Sequence, residues 1–319
     1  HPRVEIVAVT SRQSAGETIA QVFPRTAGSA IAGLKFIEPS VGALEKSGAA
    51  SIFLALPHGL AAEFAGPLRK AGRQVIDLSA DFRLKSADVF AEFYGGEHPA
   101  PDLLAEAVYA LPEILQGDAL KGAGLIACPG CYPTSILVPL IPLLRRGLID
   151  PATIVINSQS GVSGAGRKAD AALLFAECNE SLRAYGAPKH RHLSEIEQEL
   201  SAAAGCTVTV TFTPHLVPVT RGMISTIVAT PLGGADAGLV ESVWREAYLG
   251  RPFVRVVSHL PDSKHVTNTN FIDLAVREDK RTGRLILFSA LDNLGKGAAS
   301  QAVQAFNLSQ GWDETLGLL

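Results

Sequence analysis

Short apolar runs alternate with helical patterns through the first 147 residues of this 319-residue chain. Ile6–Val9, Ser51–Leu56, Val75–Leu78 and Gly124–Ala127 are β-branched or apolar and only a few residues long, as buried strands are. Between them, Val41–Ser47 and Leu60–Ala71 carry helical spacing, the second stopping at Gly72. Parallel strands cannot be joined by tight hairpins, so this alternation predicts a doubly wound parallel sheet. Open sheets of that kind hold ligands at the carboxyl ends of their strands.

After Gly147 the pattern changes. Thr153–Asn157, the nearly continuous β-branched stretch Thr207–Pro231, Phe253–Leu260, Phe271–Arg277 and Arg284–Ala290 predict a larger mixed or antiparallel sheet. Gly297–Gly311 reads as a closing helix. A chain of this length exceeds what one core usually holds, and the expected division is 1–130 with 293–319 as one domain and 131–292 as the other. Apolar residues at 47% and charged residues at 18% describe a packed α/β protein. A net charge of −3 offers no electrostatic basis for binding nucleic acid or an anionic membrane surface. The longest apolar runs are too short to span a bilayer. Four cysteines without a framework spacing point to a reducing, cytoplasmic setting.

The strand signal at Gly124–Ala127 runs into Cys128-Pro129-Gly130-Cys131-Tyr132-Pro133-Thr134-Ser135 and then an apolar helix. Pro133 suits a first helical turn, which places Cys131 just outside a helix N-terminus. Unpaired N–H groups and the macrodipole there favour an anion, so a thiol at that place is expected to be acidified and nucleophilic. Two other readings stand beside this one: an inert buried thiol, or a Cys128/Cys131 redox pair. No zinc spacing accompanies Cys178 and Cys206.

His190-Arg191-His192-Leu193-Ser194-Glu195 looks like a loop entering a helix, with Ser194 and Glu197 forming a capping box. Its histidines are candidates for metal ligands, for surface residues, or for a proton-handling partner of Cys131; no complete ligand set supports a metal. Ser160–Arg167 offers hydroxyls, backbone N–H groups and the Arg167 guanidinium for an anion, or is a plain turn. Thr10-Ser11-Arg12 follows the first strand signal without an acidic residue until Glu17. In a dinucleotide domain that favours the 2′-phosphate of NADP over the 2′-hydroxyl of NAD.

Taken in order, these segments resemble the semialdehyde dehydrogenase-like family, on its N-acetyl-γ-glutamyl-phosphate reductase branch. The resemblance runs through Thr10-Ser11-Arg12, Phe53–Gly59, Asp77–Leu84, Phe93-Tyr94-Gly95 and Leu111-Pro112-Glu113. It continues through Pro129–Thr134, Ser160–Arg167, His190–Glu195, Phe212–Pro218 and Asp292–Gly297. It implies a Rossmann-like NADP domain with an α+β substrate and dimerisation domain. The implied reaction is NADPH-dependent reduction of N-acetyl-γ-glutamyl phosphate, in arginine biosynthesis, through a Cys131 thioester. It further implies His192 as acid/base, with His190 second, and Glu195 as its orienting carboxylate. By the same resemblance Tyr185, His190, Arg191, Ser160, Gly161, Ser163 and Arg167 hold the substrate. Ser11, Arg12, Pro57, His58, Asn293 and Lys296 hold NADP(H), no metal takes part, and the chain forms a homodimer or homotetramer.

Two departures are visible. Cys128 stands where the family often has asparagine, which raises a reversible Cys128–Cys131 disulfide. The family's first strand and Gly-rich turn, roughly 25 residues in such folds, are not seen ahead of Val4, so the chain is expected to be a fragment. Alternatives are a reductase of another acyl phosphate, aspartyl or carrier-bound aminoadipyl, a cofactor-less oligomeric module, or a thiol hydrolase.

Overall fold

The computed structural model describes residues 1–166 and 169–319. Strand β1 (Val9–Thr10), helix α1 (Ile19–Val22) and strand β2 (Phe36–Ile37) come first, β1 pairing in parallel with β2. Then follow α2 (Val41–Lys46), β3 (Ser51–Leu54), α3 (Ala61–Lys70), β4 (Gln74–Asp77), α4 (Ala87–Tyr94), β5 (Val108–Tyr109) and β6 (Leu125–Ala127). Strands β3 to β6 form one all-parallel sheet in the order β3-β4-β6-β5. Side chains alternate between faces along a strand, and both faces here are covered. Val75 and Leu125 pack with Ala65 and Leu68 of α3, while Ile76 and Ile126 pack with Ala302, Ala305 and Phe306 of the closing helix. The alternation of the first third thus gives the doubly wound layering it predicts. The expected strand Ile6–Val9 is different: only Val9 and Thr10 pair. Among the described residues no strand lies against 4–8, and Val4, Ile6 and Val7 stay exposed.

Helix α5 (Cys131–Arg145) leads into the second sheet. Its strands are β7 (Val155–Gly161), β8 (Arg183–Ala184), β9 (Thr211–Val217), β10 (Met223–Ala229), β11 (Val254–Val256), β12 (Ile272–Asp279) and β13 (Arg284–Leu291). They run β11-β12-β13-β10-β7-β9-β8 with mixed directions. Helices α6 (Phe175–Cys178), α7 (His192–Ala204) and α8 (Ala237–Ala247) lie along this part of the chain. The strand expected over Phe253–Leu260 is confined to Val254–Val256, where β12 supplies a partner.

Every residue of α5 from Tyr132 to Leu144 is buried, among α7, α8 and the sheet. Pro139 and Pro142 sit inside it, and each interior proline costs roughly 3 kcal/mol. Their missing N–H groups free the carbonyls of Ser135 and Val138, which tertiary partners recover. Ser289 Oγ donates to the Ser135 carbonyl at 2.6 Å, and Tyr248 Oη donates to that of Val138. Each such bond returns only about 1 kcal/mol, so burial of the apolar side chains, about 1.5–3 kcal/mol each, carries the helix. The chain closes with a π-helical turn, Gly295–Ala299, continuing into α9 (Ser300–Ser309), which returns to the first sheet.

Candidate active site

Strand β6 stops at Ala127, and Cys128-Pro129-Gly130 turns the chain into α5, with Cys131 as its first residue. Gly130, the N-cap, has an ordinary extended conformation (φ −73°, ψ 163°). What demands glycine there is space. A β-carbon would stand 2.6 Å from His192 Nε2 and 3.1 Å from Arg83 Nη1. On the other side, a β-carbon on Gly297 would stand 2.7 Å from that of Cys131. Two glycines therefore let a histidine and the closing π turn come down on the thiol's backbone from two directions.

The thiol is not acidified at rest. Burial pushes Cys131 up to about 11, although the N–H groups of Tyr132 and of Cys131 itself, with the Arg83 charge, pull the other way. Helix position alone predicts the opposite sign; the surrounding core removes the water a thiolate needs. Cys128 is a free thiol buried with Ile76, Ile126 and Phe306, whereas Cys131, also free, packs on the core around α5. The two thiols pack with different apolar clusters, and the reversible disulfide that Cys128 raises is not formed in this structure.

His192 opens α7, two residues before the expected cap. The capping box is absent: Ser194 Oγ donates to the Arg191 carbonyl, and Glu197 accepts the Val210 N–H. The His192 backbone N–H donates to His190 Nδ1 at 3.1 Å, and the two rings lie 5.0 Å apart. Burial, then the Arg191 charge, lowers His190 to about 4. Burial, with His190, Arg83 and Arg191 adding, holds His192 well below the ordinary range. Both imidazoles are neutral at pH 7, and His192 Nδ1 is buried without a partner. A neutral imidazole packed on the residue before a protonated thiol has the lone pair that a general base needs.

Glu195 does not orient His192. Its carboxylate accepts the Gly130 N–H at 2.9 Å and the Tyr109 hydroxyl at 2.7 Å, and it faces Arg83 Nη1 at 3.4 Å. The α7 face that carries Glu195 meets the turn before Cys131, not the imidazole. Arg83 also donates to the carbonyls of Cys128 and Leu78, bracing the end of β6 against the end of β4. Arg83 lies within the Asp77–Leu84 motif without a role there, and Tyr109 lies outside every motif. The available signal was the polar run Asp77–Arg83 directly after a strand.

On the substrate side Tyr132 and Tyr185 share a hydroxyl–hydroxyl hydrogen bond of 2.8 Å, and both rings pack on His190. Arg191 is exposed, and its charge reaches His190, His192 and Tyr185. In the Ser160–Gly164 stretch three of the backbone donors expected for an anion are already paired. The N–H groups of Gly161, Val162 and Ser163 donate to the carbonyls of Gly222, Val219 and Thr220. Ser160 Oγ is buried and donates to the Gly161 carbonyl. Arg167 lies outside the described residues.

The cofactor candidates divide. Ser11 and the exposed Arg12 follow β1, and exposed Pro57 and His58 follow β3, at strand ends as the fold class requires. No carboxylate pairs with Arg12 among the described residues, which suits a phosphate. Asn293 and Lys296 are committed elsewhere. Asn293 accepts the Gly222 N–H and donates to Ser163 Oγ. Lys296 is fully buried, its Nζ 2.5 Å from Glu113 Oε1 and 2.7 Å from Gln304 Oε1. Neither side chain is free for a dinucleotide. No group of three or more metal-ligating side chains gathers among the described residues, and no described helix is long and apolar enough to cross a membrane.

Comparison with known proteins agrees with this layout. A family model for the semialdehyde dehydrogenase NAD-binding domain matches residues 1–123, and one for the semialdehyde dehydrogenase dimerisation domain matches 131–293. The chain is 55% identical to the N-acetyl-γ-glutamyl-phosphate reductase of Akkermansia muciniphila, over all of this chain and 92% of that protein. It is 48% identical to the enzyme of the same name from Citrifermentans bemidjiense, over 100% and 91%. In fold it is similar to aspartate semialdehyde dehydrogenase II of Vibrio cholerae, with TM-score 0.70, 18% identity, and 96% and 90% of the two chains covered. The aspartate semialdehyde dehydrogenase of Candida albicans, solved with NADP, gives TM-score 0.67 at 15% identity, with 98% and 93% covered.

Proposed function

The chain belongs to the N-acetyl-γ-glutamyl-phosphate reductases of the semialdehyde dehydrogenase family, and from that premise we infer the chemistry of its own residues. The reaction is NADPH-dependent reduction of N-acetyl-γ-glutamyl phosphate to N-acetylglutamate 5-semialdehyde and phosphate, a step of arginine biosynthesis. The observation that carries the assignment to Cys131 is the closure of His192 on Gly130, which sets a neutral base beside the first residue of α5.

In this reading His192 accepts the thiol proton as the sulfur attacks the γ-carbonyl carbon. The proton returns to the departing phosphate, and a thioester remains. The N–H groups at the start of α5 face the developing oxyanion. NADPH, when bound, supplies the hydride that brings the thioester to the aldehyde level. A solvent proton carried by His192 then goes to the sulfur as the aldehyde leaves, which closes the balance of one proton consumed. Arg191 and Tyr185 hold the acetylglutamyl carboxylate and phosphate. Ser11 and Arg12 would hold the 2′-phosphate, with Pro57 and His58 lining the path toward Cys131.

Residues 1–130 and 293–319 form the NADP domain in this proposal, a division supported by the packing of α9 on β4 and β6. A homo-oligomer is supported by the dimerisation-domain match. Half-exposed apolar side chains on one face of the large sheet also support it: Ile224 and Val228 on β10, Ile286 and Phe288 on β13. A cytoplasmic location in this proposal is supported by the free thiols and the NADPH-dependent chemistry.

The test runs the reaction backwards: N-acetylglutamate 5-semialdehyde, phosphate and NADP⁺, with reduced nicotinamide followed by absorbance. Turnover is expected, greater than with aspartate semialdehyde, and Cys131→Ala abolishes it. Turnover surviving that substitution removes Cys131 as nucleophile.

A further inference from the structure

The π turn that bears on Cys131 is fastened from beneath by an ion pair that lies outside the reacting groups. Lys296 precedes Gly297, and its side chain runs into the protein to Glu113 and Gln304, 5.8 Å from the Phe253 ring centroid. Glu113 comes from the segment after β5, Gln304 from α9, and Phe253 from the approach to β11, so three parts of the chain converge on one ammonium. Gln304 Nε2 in turn donates to Glu113 Oε1 and to Glu314 Oε2. The start of the turn is pinned separately, where Asp292 accepts the N–H groups of Leu294 and Gly295 and pairs with Arg221.

As a source of stability this arrangement is poor. A buried ion pair repays its desolvation only with every hydrogen-bond position filled, and Glu113 Oε2 is buried with no partner. What the pair supplies is direction. Apolar packing tolerates sliding because the hydrophobic effect is non-directional, whereas charge-assisted hydrogen bonds fix a donor in place.

We propose that the Lys296–Glu113 ion pair is a positioning device for Cys131, holding residues 295–299 at the depth where Gly297 bears on the Cys131 β-carbon. The pair is buried beneath the turn, and no step of the proposed reaction uses it. Its effect passes through the turn, which walls one side of the thiol and limits where the sulfur can swing. This rests on Cys131 as the nucleophile, and the thiol itself provides a readout independent of turnover.

The full chain is prepared as Lys296→Met/Glu113→Gln and as Glu113→Gln alone. Measured are kcat, the KM for semialdehyde and NADP⁺, and the rate of Cys131 alkylation by iodoacetamide, read by mass spectrometry. The double variant is expected to keep both KM values within about twofold. Its kcat falls about 10- to 100-fold, the scale of a 1 Å misplacement, and the alkylation rate changes with it. If the double variant does not fold, Glu113→Gln decides, with a kcat loss of about 3- to 10-fold at unchanged KM. A folded variant with unchanged kcat and alkylation rate overturns the proposal. So does a rise confined to the KM for NADP⁺, which would make Lys296 a cofactor ligand. Should the unaltered chain lack turnover with this substrate, the reaction assignment fails, while the alkylation rates still decide the positioning role.

Discussion

Glu195 accepts the backbone N–H of Gly130 at 2.9 Å, so the helix that His192 opens is tied directly to the turn that leads into the thiol. The carboxylate is fully buried, and its other partners are Tyr109 on β5 of the parallel sheet and Arg83 in the segment after β4. One side chain thereby joins α7, the β6–α5 turn and the parallel sheet.

Removing that carboxylate should be costly. Glu195→Ala leaves the buried Arg83 guanidinium without its counter-charge, a loss of about 3–5 kcal/mol by the rule for broken buried pairs. Glu195→Gln keeps an acceptor for Gly130 and should lose distinctly less. Urea unfolding of both variants checks this: Glu195→Gln removes the same charge, so equal losses would assign the whole cost to the Arg83 pairing and none to the Gly130 hydrogen bond.

Gly130→Ala places a methyl group where His192 and Arg83 already stand. The expected outcome is a fall in kcat of about 100-fold, the scale of a 1 Å displacement at a reacting group. The KM for NADP⁺ should be unchanged, since none of the residues proposed to hold its 2′-phosphate lies at this turn. Steady-state kinetics of the variant are the check.

The Cys131 thiol, pushed up to about 11 by burial, should be slow to alkylate at neutral pH in the absence of substrate. Its rate should climb with pH well past the ordinary thiol range near 8.5. A plateau reached by pH 8 would mean an acidified thiol after all. Alkylation by iodoacetamide from pH 6 to 10, with Cys131→Ala as the blank, measures it.

Acid sensitivity should trace in part to His190. Its folded value is about 4 against about 6.5 unfolded. Between those limits the unfolded chain holds a proton that the folded chain does not, so stability falls as pH falls, by about 1.4 kcal/mol per unit. His192 acts in the same direction, and Asp77, raised to about 6 chiefly by burial, acts in the opposite one. The cleanest reading is therefore a difference. From pH 7 to 5, His190→Gln should lose about 2 kcal/mol less than the unaltered chain, measured by urea midpoints at both values. Parallel losses would rule out His190 as a source.

Strand and helix alternation made the parallel sheet legible, because a parallel strand buried on both faces has to be apolar, as Val75-Ile76 and Leu125-Ile126 are. The thiol, its turn and the histidine segment were legible as residue types at a strand-to-helix junction. Less was visible of how those residues are used. Asn293 and Lys296 stand in the right segment but spend their side chains on Gly222, Ser163, Glu113 and Gln304. The backbone donors of Gly161–Ser163 are spent on the strand alongside. A hydrogen-bonding group is available to a ligand only if the fold leaves it unpaired, and pairing is not encoded locally.

By itself, then, the sequence determined the layering and the chemical inventory: where strands end, which helix follows, and that Cys131 and His192 are present at such junctions. Both follow from short-range physics, side-chain periodicity and turn stereochemistry. Only the tertiary structure decided protonation and geometry. Burial reversed the thiol's expected shift and neutralised both histidines, since desolvation depends on neighbours far away in the chain. Long-range contacts also turned Glu195 toward Gly130, brought Gly297 onto Cys131, and supplied Ser289 and Tyr248 to a helix whose prolines would otherwise leave its carbonyls unpaired.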